Sequence, residues 1–179
     1  MSEIKQLDTK IVYQNRWMTV REDRVKRPSG AEGIYGVVEK PDFVVIIPYE
    51  KGMVFLVEQY RYAVQKRFWE FPQGSWELKP DTAPEQLATA ELKEETGLTA
   101  DKMHYVGYQY QGYGYANQGY HIFLATGLTQ GKKELDAEEE GLISEKFKIR
   151  EFEQMIIDGK ILDATTTCAY ALAKMKELI

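Results

Sequence analysis

Five consecutive apolar residues, Phe43-Val44-Val45-Ile46-Ile47, constrain this chain more than any other feature. A strand that alternates apolar and polar residues keeps one wet face, whereas a strand apolar at every position is buried on both. It needs cover above and below, which a lone hairpin cannot give. Lys51-Gly52 turns the chain back into Met53–Tyr60, so the run forms half of a central hairpin. Further strands are expected at Trp69–Phe71, Met103–Tyr110, Tyr120–Ala125 and Leu142–Phe147. The cover comes from helices. One begins near Ala83 or Pro84, with proline in the first turn where its missing N–H costs nothing, and stops at Gly97. A short amphipathic helix carries Phe152, Met155 and Ile156 and ends at Asp158-Gly159. Asp163 caps a last helix whose apolar stripe reads Cys168, Leu172, Met175 and Ile179. The fold class is therefore α/β, a mixed sheet with helices on both faces.

Ahead of that core lies a different texture. Ile11-Val12-Tyr13, Trp17–Val25 and Ile34–Glu39 interleave apolar and charged residues, with Arg27-Pro28-Ser29-Gly30 as a turn. This is a thin antiparallel meander that cannot cover both its faces alone. The expected division is a strand-rich arm over residues 1–45 and a main domain over 46–179.

Composition excludes some partners. Lys and Arg number 23 against 28 Asp and Glu, a net charge of −5, and a general nucleic-acid binder is ordinarily basic. No apolar run approaches the roughly 20 residues of a membrane span. One cysteine, Cys168, builds neither an internal disulfide nor a Cys-rich zinc site. Met1–Lys10 is polar and carries no signal-peptide stretch. Neither nucleic acid nor a membrane is expected as a partner, and the expected compartment is the cytoplasm.

The chemistry is concentrated in Ala90-Glu91-Leu92-Lys93-Glu94-Glu95-Thr96-Gly97-Leu98. Glu91, Glu94 and Glu95, at i, i+3 and i+4, share one helix face. Three like charges repel, and a hard divalent cation such as Mg²⁺ or Mn²⁺ relieves them. The competing interpretation is a solvated acidic face. Leu87, Ala88 and Leu92 turn the other side of the helix to the core, and a Gly-containing loop leads into it, the layout of a metal–phosphate site.

Gly74 followed by this stretch resembles the Nudix box, a glycine with a downstream Arg-Glu-apolar-x-Glu-Glu-x-Gly-apolar helix. Val57-Glu58-Gln59-Tyr60-Arg61 and Trp69-Glu70-Phe71-Pro72-Gln73-Gly74 are similar to the segments that precede the box in the ADP-ribose and nucleotide-sugar pyrophosphatase branch. The resemblance covers roughly residues 42–179. Ala90 stands where the box has Arg, Thr82 where it has Glu, and the loop between Gly74 and Ala90 is two residues longer. The missing Glu and Arg commonly pair with each other, so their joint loss leaves no lone buried charge. Glu77, inside the longer loop, is either a replacement carboxylate or a solvated residue.

The resemblance implies a Nudix-type α/β/α sandwich and a metal-dependent pyrophosphohydrolase acting on a small nucleotide. Glu91 and Glu95 would be the main metal ligands, Glu94 would share a metal or position its water, and the carbonyl of Gln73 would complete the site. The cation is Mg²⁺, with Mn²⁺ as a substitute. A general base is wanted near the attacking water. Within Asp136-Ala137-Glu138-Glu139-Glu140, Glu138 is the first candidate and Glu140 the second, against a solvated loop. Arg61 matches an arginine that contacts substrate phosphate, against a surface salt bridge. Glu70 matches a position near the substrate, against a structural hydrogen-bond role. His104 and His121 fall in strands and are not needed.

Substrate cues are weaker. Six of the 12 tyrosines lie between Tyr105 and Tyr120. Alternate ones read as strand residues packing the core or a dimer, while Tyr113, in a Gly-flanked loop, offers an aromatic wall. The loop lacks the Ser-Pro-Gly of the ADP-ribose subgroup. Thr165 stands where some nucleotide-sugar hydrolases have Lys. The two cues conflict, and only the class follows: ADP-ribose or a related nucleoside diphosphate sugar. Diadenosine polyphosphate or cap-type hydrolysis is the alternative enzyme, and a non-catalytic nucleotide-sensing module the alternative of another class. The branch is habitually dimeric, so a homodimer is expected, with the arm on the partner. Trp17 then either stacks on a nucleotide base across that dimer or is an ordinary core tryptophan.

Overall fold

A computed structural model describes residues 3–76, 81–133, 135 and 140–179. The arm is a separate three-stranded antiparallel sheet, ordered β1 (Lys5–Gln14), β2 (Thr19–Lys26), β3 (Glu32–Glu39). It is as thin as its pattern implies. Every residue of β1 is exposed, and β2 buries only Asp23 and Val25.

The main sheet holds β4 (Phe43–Glu50), β5 (Met53–Arg61), β6 (Lys66–Glu70), β7 (Gln73–Gly74), β8 (Leu98–Tyr110), β9 (Gly119–Gln130) and β10 (Ile143–Lys148). The path runs β10-β5-β4-β9-β8, with β6 on β5 and β7 on β4. The β4–β9 pair is parallel, Phe43 beside Tyr120 through Pro48 beside Ala125, and the other pairs are antiparallel.

The apolar run explains the layers. Phe43, Val45 and Ile47 face one side with Ile122, Leu124, Phe152, Ala169 and Tyr170, where α2 (Ile149–Ile157) and α3 (Ala164–Met175) cover them. Val44 and Ile46 face the other with Leu87, Ala88, Leu92 and Phe123, under α1 (Pro84–Thr96). Each fully buried Val or Ile there contributes about 1.5–3 kcal/mol, which makes β4 the spine of the fold. Among the described residues no helix is long and apolar enough to cross a membrane.

One detail of the sheet creates the site. β4 and β5 pair only beside their turn, Tyr49 with Val54 and Glu50 with Met53. Beyond it β5 turns to β6 and β10, and β4 takes up β7, Val44 opposite Gly74 and Val45 opposite Gln73. Ile46 N–H donates to the Pro72 carbonyl at 2.9 Å, extending the strip.

One expectation needs correcting, and two core alternatives fall away. The stripe on α3 is rotated: Thr165, Thr166, Ala169, Tyr170 and Ala173 face inward, while Cys168 and Met175 are exposed. A buried Thr166 is possible there because its hydroxyl is used, as shown below. Tyr105, Tyr108 and Tyr110 are exposed, and of the six tyrosines in that run only Tyr120 joins the core. Trp17 is not a core residue, being 39% exposed with the Arg16 guanidinium 4.0 Å over its ring.

Candidate active site

α1 ends where Gly97 takes the left-handed conformation, φ 74°, and its N–H caps the Lys93 carbonyl. The helix therefore has a fixed phase against β4, with Leu87, Ala88 and Leu92 in the core. That phase also carries two of the three glutamates inward: Glu91 is 5% and Glu95 1% exposed, with Glu94 half-buried. The competing reading of a solvated acidic face fails for Glu91 and Glu95.

Both carboxylates stand against β7. Glu95 Oε2 accepts the Gln73 N–H at 3.1 Å. Glu91 occupies the place a side chain on Gly74 would need, since a Cβ built there would lie 2.5 Å from Glu91 Cδ. A side chain at position 74 would have to displace that carboxylate. The donors assembled here are all oxygens, the set that hard divalent cations take. Among the described residues no three His, Cys, Asp or Glu side chains form a metal cage by themselves. Glu94 projects about 100° round the helix from Glu95.

β7 also lines a cleft of about 670 Å³, together with Lys40, Phe43, Arg61, Glu70, Gln118 and Asp163. Its wall on one side is Glu70, 2% exposed at the end of β6. Glu70 accepts from Gln59 Nε2 at 2.8 Å, from Arg61 Nε at 3.2 Å and from a terminal Arg61 nitrogen. Burial pushes its carboxyl above the ordinary 4.5, and the Arg61 guanidinium opposes that. The structural role foreseen for Glu70 is thus present, and it holds Arg61 in the wall of the cleft.

Another part of the wall is the N-cap of α3. Asp163 caps the helix, accepting from Thr165 N–H at 3.3 Å and Thr166 N–H at 2.8 Å. Asp163 Oδ2 also takes the Gln73 side-chain amide at 3.4 Å. Sequence reasoning found Asp163 as a cap but not as part of the cleft. Lys40 was missed too. It lies in a linker stitched to the β8–β9 loop, where Lys40 N–H donates to Asn117 Oδ1, Gln118 Nε2 to the Pro41 carbonyl, and Gly119 N–H to Asp42 Oδ1. No run or motif marks a contact between segments so far apart.

Among the described residues, the remaining candidates do not line this cleft. Tyr113 is 83% exposed, and neither it nor Trp17 lines the cavity. Glu140 sits in an exposed turn, and the neighbouring Gly141 carbonyl accepts from Arg67 at 2.7 Å. Glu77 and the stretch Asp136–Glu139, with Glu138, lie outside the described residues. His104 is exposed. His121 packs between Tyr105 and Tyr108, where burial lowers its imidazole pKa against the pull of Asp42.

Known proteins share this architecture. The chain is similar to an ADP-ribose pyrophosphatase of Bacillus subtilis (strain 168), 27% identical over 180 residues that cover 99% of this chain and 96% of the relative. It is likewise similar to a methanol dehydrogenase activator of Bacillus methanolicus, 26% identical over 99% of this chain and 96% of the relative. A crystal structure of an ADP compounds hydrolase superposes with a TM-score of 0.86 at 19% identity, covering 98% of this chain and 94% of that one, and so shares the fold. The nucleoside diphosphate sugar hydrolase N-terminal domain matches residues 4–38, the three-stranded arm. The NUDIX domain matches residues 39–165, which include the sheet, α1, β7 and the α3 cap, and the chain therefore belongs to the Nudix family.

Proposed function

We propose that this chain hydrolyses the pyrophosphate bond of ADP-ribose or a related nucleoside diphosphate sugar, adding water to release a nucleoside monophosphate and a sugar phosphate. The observation that carries this reading is the pair of buried carboxylates, Glu91 and Glu95, set directly behind the strip Gln73–Gly74 that lines the cleft. The match of the arm to a nucleoside diphosphate sugar hydrolase domain and the name of the Bacillus subtilis relative support the substrate class.

Glu91, Glu94, Glu95 and the Gln73 carbonyl would hold a divalent cation, Mg²⁺ or in its place Mn²⁺. When bound, such an ion neutralises the diphosphate and lowers the pKa of water. The protein supplies the rest. Arg61, braced by Glu70 and Gln59, orients a phosphate in the cleft. Glu94 shares the ion or orients the attacking water. Glu138, or Glu140, accepts that water's proton on a carboxylate oxygen. Glu70 stays a brace beside the substrate.

The reading includes a homodimer built through the arm, about residues 1–45, on the hydrolase unit 46–179, in the cytoplasm that a single cysteine suits. Ile4, Leu7, Ile11, Val12, Tyr13 and Ile34 are all exposed on the arm, and a partner would cover them. Trp17 or Tyr113 would then reach the partner's nucleotide.

The test is a nucleotide-sugar panel assayed with Mg²⁺ and an added phosphatase, which frees phosphate from the products but not from the intact diphosphates. Turnover of ADP-ribose or another member is expected. No release from any member, with fold and metal intact, would leave the second reading. That reading, favoured by the Bacillus methanolicus relative, is action on a partner dehydrogenase.

A further inference from the structure

The strip Phe71–Gly74 is held from two directions, and only one of them is the acidic helix. From the far side, Phe71 N–H donates to Thr166 Oγ1 at 2.8 Å. The same hydroxyl donates to Asp163 Oδ2 at 2.6 Å, and that oxygen also takes the Gln73 side-chain amide. Thr166 is wholly buried, and so is Phe71. The hydroxyl uses its donor and an acceptor site to join Asp163 to Phe71, and Asp163 itself reaches the strip at Gln73. On the near side the Gln73 N–H meets Glu95 and Gly74 meets Glu91.

We infer that Asp163 and Thr166 are positioning residues, which set how deeply the Gln73–Gly74 strip stands against Glu91 and Glu95 and thereby the affinity of the site for a divalent cation. The inference rests on the metal-binding part of the function proposed above. It adds residues that touch neither the ion nor the reacting atoms. The physical case is that, among the described residues, the strip's sheet pairing with β4 is short, two residues in register plus the Ile46–Pro72 bond. Without the Thr166 hydroxyl, Phe71 N–H and an Asp163 oxygen lose their shared partner in the interior, and the strip relaxes toward whatever restores those bonds. Partners behind metal ligands commonly matter by roughly 10–100-fold in affinity.

The experiment uses Thr166→Val, which keeps the shape and removes the hydroxyl, and Thr166→Ser, which keeps the hydroxyl. Free Mn²⁺ is followed by electron paramagnetic resonance during titration of the full chain, with no nucleotide present. Thr166→Val is expected to weaken Mn²⁺ binding by roughly 10-fold or more, and Thr166→Ser to restore it. In turnover, the Mg²⁺ concentration for half-maximal rate should rise while kcat at saturating metal stays near that of the unaltered protein. Should Thr166→Val not fold, Gln73→Met cuts the tether to Asp163 while leaving the backbone carbonyl, and weaker Mn²⁺ binding is again expected. Unchanged Mn²⁺ affinity in a folded Thr166→Val or Gln73→Met protein overturns the inference, as does an unaltered chain that binds no Mn²⁺. Mn²⁺ binding that responds to Thr166 in a chain that turns over no nucleotide sugar supports the positioning role and removes only the substrate reading.

Discussion

Gly74 and Glu91 compete for one volume: the carboxylate fills the space a methyl group on Gly74 would take. Glu91 is buried in the packed face of α1, and one of the two must shift to admit a methyl group. Gly74→Ala should therefore displace β7 or the carboxylate and lower kcat/KM at limiting Mg²⁺ by roughly 10–100-fold. A Mg²⁺ titration of the variant that overlays the parent would show the approach to be incidental.

Glu95→Gln separates charge from shape. The amide oxygen still accepts the Gln73 N–H, but one of two neighbouring buried carboxylates is gone. Metal-dependent turnover should vanish, while the melting temperature without metal should barely move, because the amide keeps the side chain's shape and its Gln73 contact. Retention of near-parental kcat at saturating Mg²⁺ would remove Glu95 from the ligand set.

Glu138→Gln should lower kcat by roughly 10²–10⁴-fold with little change in KM, the pattern of a lost general base. If the joint change of Glu138, Glu139 and Glu140 leaves kcat untouched, the base lies elsewhere.

Arg61 and Glu70 make a pH prediction. Burial raises the Glu70 carboxyl above 4.5 in the folded chain, so its contribution to stability is full below 4.5 and is lost as pH rises through the raised value. Arg61→Ala leaves the ionised group buried with only Gln59, lifting it further. The variant should lose about 1–3 kcal/mol at neutral pH, and less in acid, where Glu70 is protonated with or without the arginine. Melting curves at about pH 4 and about pH 8 read the difference. An equal deficit at both would mean that lost packing, not charge, is responsible.

Trp17→Ala tests the arm. Because the ring is exposed in the single chain, its removal should barely shift melting. Stacking across a dimer is worth roughly 1–3 kcal/mol per base, so KM should rise several-fold. Light scattering should report twice the chain mass at micromolar protein, and a monomer would defeat both the dimer and the stacking.

What the sequence disclosed, and what it withheld, follows the range of the forces involved. Pro84 and Gly97 mark the ends of α1 because a missing N–H and a left-handed φ are local properties, and the exposed arm announces itself by its interleaved charges. The burial of Glu95 is not local. It depends on β7, a two-residue strand too short for any periodicity to reveal. The stripe on α3 was misplaced by the preference for apolar residues. Thr166 is buried because Phe71 N–H and Asp163 are waiting for it, which no reading of the helix alone discloses. Lys40 came to the cleft by linker contacts with a loop far along the chain.

The parallel pairing of β4 with β9 sets a timetable for the newborn chain. Phe43 leaves the ribosome 77 residues before its neighbour Tyr120. At roughly 5–20 residues per second, translation leaves the most apolar strand of the protein waiting about 4–15 s for the strand that flanks it. In that time the hairpin with β5 closes its far end and β7 its near end on one edge, so the edge that β9 takes is the one left open. Slowed elongation between β5 and β9 would lengthen that exposure, so the yield of folded protein should depend on codon choice in this stretch more than in the arm.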